Sequence, residues 1–282
     1  MTDTLDIVRT VQELRHRIRA WQGEGLRVGL VPTMGGLHDG HLALVKASLK
    51  NTDRTVATLF VNPKQFGPYE DFGEYPRDED RDAKLFKEEG THMLFAPDAA
   101  EMYPDGFSTS VSVAAIGDVL EGAFRPGFFT GVATIVTKLL VQAGADQAFF
   151  GEKDYQQLQV IKRLALDLNI PTDITGVPTV REDDGLALSS RNQYLTPAER
   201  NIAPVLYKTL CAAAEKIHQG NDIAVAEAWA TEELLAAGFT HVDYVTARDG
   251  ATLDAYTAPS QSGRVLAAAK LGKARLIDNV SL

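Results

Sequence analysis

The chain has 282 residues, enough for one large domain or two ordinary ones at about 150 residues each. Hydrophobic residues make up 45% and charged residues 23%, a globular composition that excludes disorder throughout. Asp plus Glu outnumber Lys plus Arg by 38 to 28, and the net charge of -10 argues against nucleic acid as the main partner. A small anionic ligand held by a few local cations is still compatible with that charge.

Val11, Leu14, Ile18 and Trp21 follow a helical spacing, which predicts an amphipathic helix over residues 5–21. "LRVGLVP" reads as a buried strand, "GHLALVKASL" as a helix and "TVATLFV" as a second buried strand. "DEDRDAKLFKEEG" predicts a polar-faced helix closed by Gly90, and "HMLFAP" a third strand. The helix "TGVATIVTKLLVQAG", the strand "DQAFF", the helix "DYQQLQVIKRLALDLNI" stopping before Pro171 and the strand-like "TDITGVPTV" follow. Short apolar strands alternating with helices are the pattern of a parallel sheet covered on both faces. The expected fold is therefore α/β.

The pattern changes near residues 180–184, where "REDDGLALSSRNQYLTPAER" is polar and turn-rich. Helical segments are expected at about 198–219 and 222–237, and the tail reads as short strands with turns. This gives two domains, 1–180 and 181–282. The single cysteine, Cys211, excludes an intrachain disulfide and reads as a small core residue in "LCAAAEKI". "MTDTLDIVRT" has no basic n-region or apolar core, and no apolar run reaches the roughly 18 residues of a membrane helix. A cytoplasmic protein without a membrane partner is expected.

The chain has six histidines, and "VPTMGGLHDGHLALV" places two of them, His38 and His41, just after the first buried strand. In an open α/β sheet, ligands bind at the carboxyl ends of the strands. Gly35 and Gly36 permit a sharp strand-to-helix turn, and Gly40 leaves room for a nucleotide at the backbone. His38 and His41 share a face of the first helical turn, where imidazoles beside a helix N-terminus suit phosphate oxygens. The local pattern alone also admits a structural pair or a metal pair, although metal helices more often use i, i+4 spacing.

Five blocks in order decide among these: "PTMGGLHDGH", "FVNPKQFGPYEDFGEYPRDEDRD", "EGAFRPGFFTGV", "FFGEKDYQQLQVIKRLALDLNIP" and "LALSSRNQYLTPAER". The first resembles the HIGH-type signature of the nucleotidyltransferase superfamily. Together, over nearly the whole length, they resemble the pantothenate synthetase family. The resemblance implies a Rossmann-like, parallel-sheet nucleotide-binding domain with a smaller C-terminal α/β lid domain. It implies a ligase that joins pantoate to β-alanine using ATP and Mg²⁺, a step of the coenzyme A pathway, and a homodimer. ATP would activate the pantoate carboxylate as an acyl adenylate, releasing pyrophosphate; the β-alanine amine would then displace AMP. No protein nucleophile is required, so such an enzyme must chiefly position reactants and stabilise phosphate charge.

The resemblance also implies roles. His38 and His41 would donate to the triphosphate, with Pro32, Thr33 and Met34 lining the floor and Met34 touching both pantoate and nucleotide. In "GEKDYQQ", Gly151 and Glu152 would lie along the nucleotide, Lys153 would pair with phosphate, and Asp154 would accept from the ribose. Val180, Leu188, Ser189, Ser190 and Arg191 would complete the ATP site, with "LSSRN" as a mobile loop of the lid. His38, His41, Lys153 and Arg191 would be the catalytic set. Gln65 and Gln157 would anchor pantoate as neutral amides, and Asn62 would shape the same pocket. Asp82 would contact magnesium, with Asp80 as a further acid.

Three positions depart from the family pattern. Arg81 stands where many members carry a second acid, Phe128 where they carry histidine in "RPGHF", and Lys64 where they carry an uncharged residue; Arg125 is retained. Competing expectations are another nucleotide transferase of the superfamily and a non-catalytic nucleotide-binding module. The first would lack "GEKDYQQ" and the lid, and the second would have lost the histidines or Lys153.

Overall fold

Alternating apolar strands and amphipathic helices place a parallel sheet in the first part of the chain and an antiparallel sheet in the last. The computed structural model describes residues 5–68, 70, 72–257 and 262–282. Tyr69 and Asp71 of the second block, and the first four residues of the stretch read for a signal peptide, lie outside the described residues. Two units divide the chain: one runs to Glu152 and resumes over Val160–Pro178, the other comprises Lys153–Gln159 and Thr179–Leu282.

The first unit contains β1 (Asp6–Val8), α1 (Val11–Gly23), β2 (Val28–Thr33), α2 (Asp39–Asn51), β3 (Arg54–Leu59), α3 (Glu79–Glu89) and β4 (Met93–Phe95). It continues with α4 (Ala99–Met102), α5 (Glu121–Phe124), α6 (Phe128–Ala143), β5 (Gln147–Gly151), the later part of α7 (Tyr155–Asp167) and β6 (Asp173–Val177). The sheet order is β1-β4-β3-β2-β5-β6, with every neighbouring pair parallel. Successive strands run outward from β2 in one direction and from β5 in the other, so the order reverses between them. The carboxyl ends of β2 and β5 therefore flank the crevice where such sheets take ligands.

Alternation sorts the strand side chains onto two faces. Val31, Ala57, Leu94 and Phe149 pack with Leu44, Val45 and Phe86 from α2 and α3. Val28, Leu30 and Val56 are fully buried on the opposite face, where α1 and α6 lie against β2 and each other. Both faces are thus covered.

The helix expected over 5–21 is corrected at its start. Thr10 is the N-cap, locked to Glu13 in a capping box, so α1 begins at Val11. Residues Asp6–Val8 instead pair with Met93–Phe95 as an edge strand, which the apolar Leu5, Ile7 and Val8 suit as well as a helix. At the other end, α7 stops at Asp167 because Asn169 turns left-handed (φ 52°) and Ile170 N–H closes on Ala165 O at 2.9 Å.

The second unit has α8 (Pro197–Ile202), α9 (Val205–His218), α10 (Ile223–Ala237) and strands β7 (His241–Asp249), β8 (Gly263–Leu271) and β9 (Ala274–Ser281) in an antiparallel sheet. Leu206, Leu210, Ala213, Ala230 and Leu234 pack on Val245, Val265, Ala267 and Ala269. The single helix expected over 198–219 is broken at Pro204, which has no N–H to continue α8. Cys211 is exposed, contrary to the core reading: Leu206, Leu210, Ala213 and Ala214 form the buried stripe of α9, and position 211 falls outside it. No helix among the described residues is long and apolar enough to cross a membrane.

One histidine couples this fold to pH. His92 Nδ1 accepts from Thr55 N–H at 3.0 Å, which requires the neutral ring. Burial, and then nearby Arg54, hold its pKa below the ordinary imidazole range. A lowered folded pKa means the unfolded chain binds the proton more readily. The stabilisation is therefore complete above about pH 6.5 and is lost as pH falls through the folded value. Melting temperature should fall over that acid range, and His92→Gln should flatten the fall; a variant with the unchanged slope would refute the assignment.

Candidate active site

The turn after β2 is built by two glycines and two histidines. Gly35 and Gly36 have φ of 91° and 63°, values that side-chain-bearing residues rarely adopt. They deliver the chain to His38, which is the N-cap of α2 in extended conformation. His38 Nδ1 accepts from Gly40 N–H at 3.1 Å, and His41 Nδ1 faces His38 N–H at 3.4 Å. The two imidazoles thus form a reciprocal capping box, a task that usually falls to Ser or Thr with Glu or Gln. Their ring centroids lie 4.2 Å apart, inclined by 41°.

This use of Nδ1 fixes the chemistry of both rings. With Nδ1 accepting, the proton of a neutral imidazole sits on Nε2, so each ring turns an N–H donor away from the backbone. Sequence spacing put both residues in the first helical turn; the structure makes His38 the cap before it and His41 its third residue.

Asp82, on α3, reaches this same turn. Its Oδ2 accepts from Gly36 N–H at 2.8 Å and its Oδ1 from Leu37 N–H at 3.0 Å, and the residue is 1% exposed. Arg81 lies alongside, with Nη1 3.4 Å from Asp82 Oδ1 and Nη2 donating to Leu37 O at 3.2 Å. Asp80 is exposed. Among the described residues, no group of three or more His, Cys, Asp or Glu side chains is arranged to hold a metal ion.

A second group of polar residues follows β3. Asn62 is buried and saturated by the protein itself. Its Oδ1 accepts from Tyr103 O–H (2.7 Å) and Lys64 N–H (3.3 Å), and its Nδ2 donates to Gln65 Oε1 (2.9 Å) and Gly131 O (3.2 Å). Asn62 accordingly aims Gln65, whose Nε2 lies 3.0 Å from Met34 Sδ. With its carbonyl oxygen taken by Asn62, Gln65 presents its amide N–H₂, a donor suited to a carboxylate or hydroxyl oxygen. Burial pushes the Tyr103 phenol up to about 12, so it donates at any neutral pH. The Lys64 and Lys138 ammonium groups lie 5.2 and 5.9 Å from the Tyr103 ring centre.

Phe128 lies under the Arg125 guanidinium at 3.7 Å. Arg125 also makes a two-pronged bond to Glu70, with Nε to Oε1 and Nη2 to Oε2 both at 2.7 Å. The aromatic face therefore holds an arginine that is already paired. Thr33, expected on the ATP floor, uses its hydroxyl on Thr58 O at 2.7 Å.

Within the second unit, Lys153 Nζ is 3.9 Å from Asp154 Oδ2, and the Lys153 carbonyl accepts from Asn279 Nδ2 at 3.1 Å. Tyr155 O–H donates to Gly250 O at 2.7 Å, and the Arg264 guanidinium covers its ring at 4.1 Å. Leu188 N–H bonds Val180 O at 3.0 Å, closing a small hairpin around Gly185. Ser189 then caps a short 3-10 turn, Ser190–Tyr194, by accepting from Arg191 N–H at 3.3 Å. Arg181 anchors the hairpin through a bidentate pair to buried Asp278 (2.6 and 2.8 Å).

The first unit thus gathers Pro32, Thr33, Met34, His38, His41, Asn62, Gln65 and Asp82 around the carboxyl ends of β2 and β3. Gly151 ends β5 in the same unit, and a Cβ there would meet nothing within 4 Å. Gly151→Ala should consequently leave the melting temperature within about 1 °C, as for a surface change. If nucleotide lies along this backbone, the same methyl should raise KM for ATP by about tenfold; unchanged kinetics would remove Gly151 from the site. The Gln157 side chain, half-buried, makes no hydrogen bond among the described residues. Sequence reading missed Tyr103, Gly131 and Asn279, whose partners lie 41, 69 and 126 positions away and leave no local pattern.

Comparisons with known proteins identify the family over the whole chain. The sequence profile of the family described as Pantoate-beta-alanine ligase matches residues 6–281. A pantothenate synthetase of Paramagnetospirillum magneticum is 56% identical over 282 residues, covering 100% of this chain and 99% of its own. One from Caulobacter vibrioides is 54% identical, with 98% of both chains covered. Among solved structures, a pantothenate synthetase from Thermus thermophilus superposes with a TM-score of 0.91 at 47% identity, covering 98% of this chain and 99% of that one. Pantoate-beta-alanine ligase from Francisella tularensis, complexed with beta-gamma ATP and β-alanine, gives 0.82 at 33% identity, covering 98% and 97%.

Proposed function

The chain belongs to the pantoate–β-alanine ligase family, and on that premise we propose how its residues divide the reaction. It is an ATP-dependent ligase that condenses pantoate with β-alanine to form pantothenate through a pantoyl adenylate, releasing AMP and pyrophosphate. In the first step a pantoate carboxylate oxygen attacks the α-phosphorus and the bond to pyrophosphate breaks. In the second, the β-alanine amine attacks the acyl carbon, AMP departs and the amine proton is lost.

The observation that carries the residue assignment is the paired-imidazole cap at the end of β2. We assign the Nε2–H groups of His38 and His41 to phosphate oxygens, where charge grows as pyrophosphate leaves. Lys153, with Arg191, Ser189 and Ser190, is assigned to the same phosphates, and Glu152, Asp154, Val180 and Leu188 to the rest of the nucleotide. Gln65 and Gln157 are assigned to pantoate with Met34 beside them, and Asn62 acts on pantoate through Gln65. Mg²⁺ is proposed to accompany ATP, held by phosphates and water. The division into residues 1–180 for ATP and pantoate and 181–282 as a lid, a cytoplasmic setting and a homodimer complete the proposal; light scattering after size exclusion checks the last.

Pantoate-dependent exchange of labelled pyrophosphate into ATP, without β-alanine, tests the order of steps. Exchange should require pantoate and Mg²⁺, and adding β-alanine should yield AMP and pantothenate in equal amounts. Exchange supported by β-alanine alone would overturn this order.

A further inference from the structure

We infer that Asp82 is a positioning residue for the phosphate turn, and that in this chain it does not ligate magnesium. The inference rests on the assignment of that turn to ATP phosphates.

Both carboxylate oxygens of Asp82 are occupied by consecutive backbone N–H groups, those of Gly36 and Leu37. These are the two residues directly before the cap His38, so the direction in which the chain enters α2 is set from α3. Gly35 is fitted to the same contact: a Cβ there would stand 2.9 Å from Asp82 Oδ2. Arg81 closes the arrangement by bonding Leu37 O, so one loop peptide group is held at its N–H by Asp82 and its neighbour at its carbonyl by Arg81.

Magnesium asks for something else. It takes one or two accessible carboxylates in octahedral geometry at about 2.0–2.1 Å and keeps several waters. Asp82 is 1% exposed, and its flank is taken by a guanidinium 3.4 Å away, a cation where a second cation would have to sit. Asp80, two residues earlier on the same helix, is exposed and does not share its face. The donor set does not fit the ion. A buried carboxylate with two loop N–H bonds is instead a rigid brace for the imidazoles beyond it.

Two variants separate the roles. Asp82→Asn keeps one acceptor oxygen but cannot accept both N–H bonds. It should raise KM for ATP by about tenfold, the equivalent of one charge-assisted bond. KM for pantoate and the Mg²⁺ concentration for half-maximal rate at fixed ATP should stay within about twofold. Arg81→Asp restores an acid pair. As a brace defect it should raise KM for ATP and leave the Mg²⁺ midpoint alone; as a metal site it should lower that midpoint. Melting curves with Mg²⁺ but no nucleotide give a reading independent of turnover, and Mg²⁺ alone should shift neither wild type nor variants.

A tenfold rise in the Mg²⁺ midpoint of Asp82→Asn, its rescue by Mn²⁺, or Asp82-dependent stabilisation by Mg²⁺ alone would overturn the inference. So would an unchanged KM for ATP. If that last result came with activity still lost in a His41 variant, only the role of Asp82 would fall and the phosphate assignment would stand. Should Asp82→Asn fail to fold, Arg81→Asp and the wild-type melting curves carry the test.

Discussion

His41→Ala should slow pantoate-dependent pyrophosphate exchange by about 10²–10³-fold, the usual effect of deleting a donor aimed at developing negative charge. The change removes two things, because His41 Nδ1 also faces His38 N–H in the capping box. Loss of a cap interaction destabilises by about 1 kcal/mol and would leave most of the protein folded at room temperature. The two contributions can be separated. Glutamate is a standard capping-box residue at this helix position, so His41→Glu should retain the cap and the melting temperature. It carries negative charge where a donor is needed, so its exchange rate should be as low as that of alanine. His41→Gln offers both a capping oxygen and an N–H₂ donor, and should recover part of the rate. If glutamate restored activity, the ring would act only by shaping the helix start and the phosphate role would be wrong.

Gly131→Ala should be the most damaging small substitution on the pantoate side. Gly131 lies in α6 where that helix crosses the Pro63–Gln65 turn, and an added Cβ would stand 2.1 Å from Lys64 O and 2.8 Å from Gln65 Cα. Those are backbone atoms, so neither element can yield by changing a rotamer. Overpacking of this kind destabilises by about 1–3 kcal/mol or more. The forced separation also strains the bond from Asn62 Nδ2 to Gly131 O and, through Asn62, the aim of Gln65. KM for pantoate should rise by about tenfold or more, with KM for ATP little changed because the His38 turn lies elsewhere on the sheet edge. Equal increases in both constants would show that Gly131 supports the fold generally rather than this pocket.

Much of this was legible in sequence. Buried strands announce themselves by short apolar runs, and Gly90 closes α3 in the left-handed conformation its position suggested (φ 93°). The start of α1 was not legible, because Leu5, Ile7 and Val8 satisfy a helical and a strand pattern equally; Thr10 and Glu13 decide it by capping. The histidine pair was visible, but its tautomer was not. That depends on the backbone doubling back at Gly35 and Gly36 until ring nitrogens meet amide hydrogens. Asp82 was visible as an acid, but its partners lie 45 and 46 positions earlier. Tyr103 and Gly131 carry no motif at all, since their roles exist only where α6 and the segment after α4 close over Asn62.

The bond between Asn279 and the Lys153 carbonyl has a practical meaning for anyone expressing or screening this protein. Asn279 and Asp278 sit near the end of β9, and Leu282 N–H is itself tied to Gly263 O at 2.8 Å. Loss of residues 278–281 would erase half of β9, yet it would unfasten the lysine loop and strip the Arg181 hairpin of its counter-ion. Frameshifts that replace residues 278–281 should therefore score as nulls rather than as tolerated trimmings.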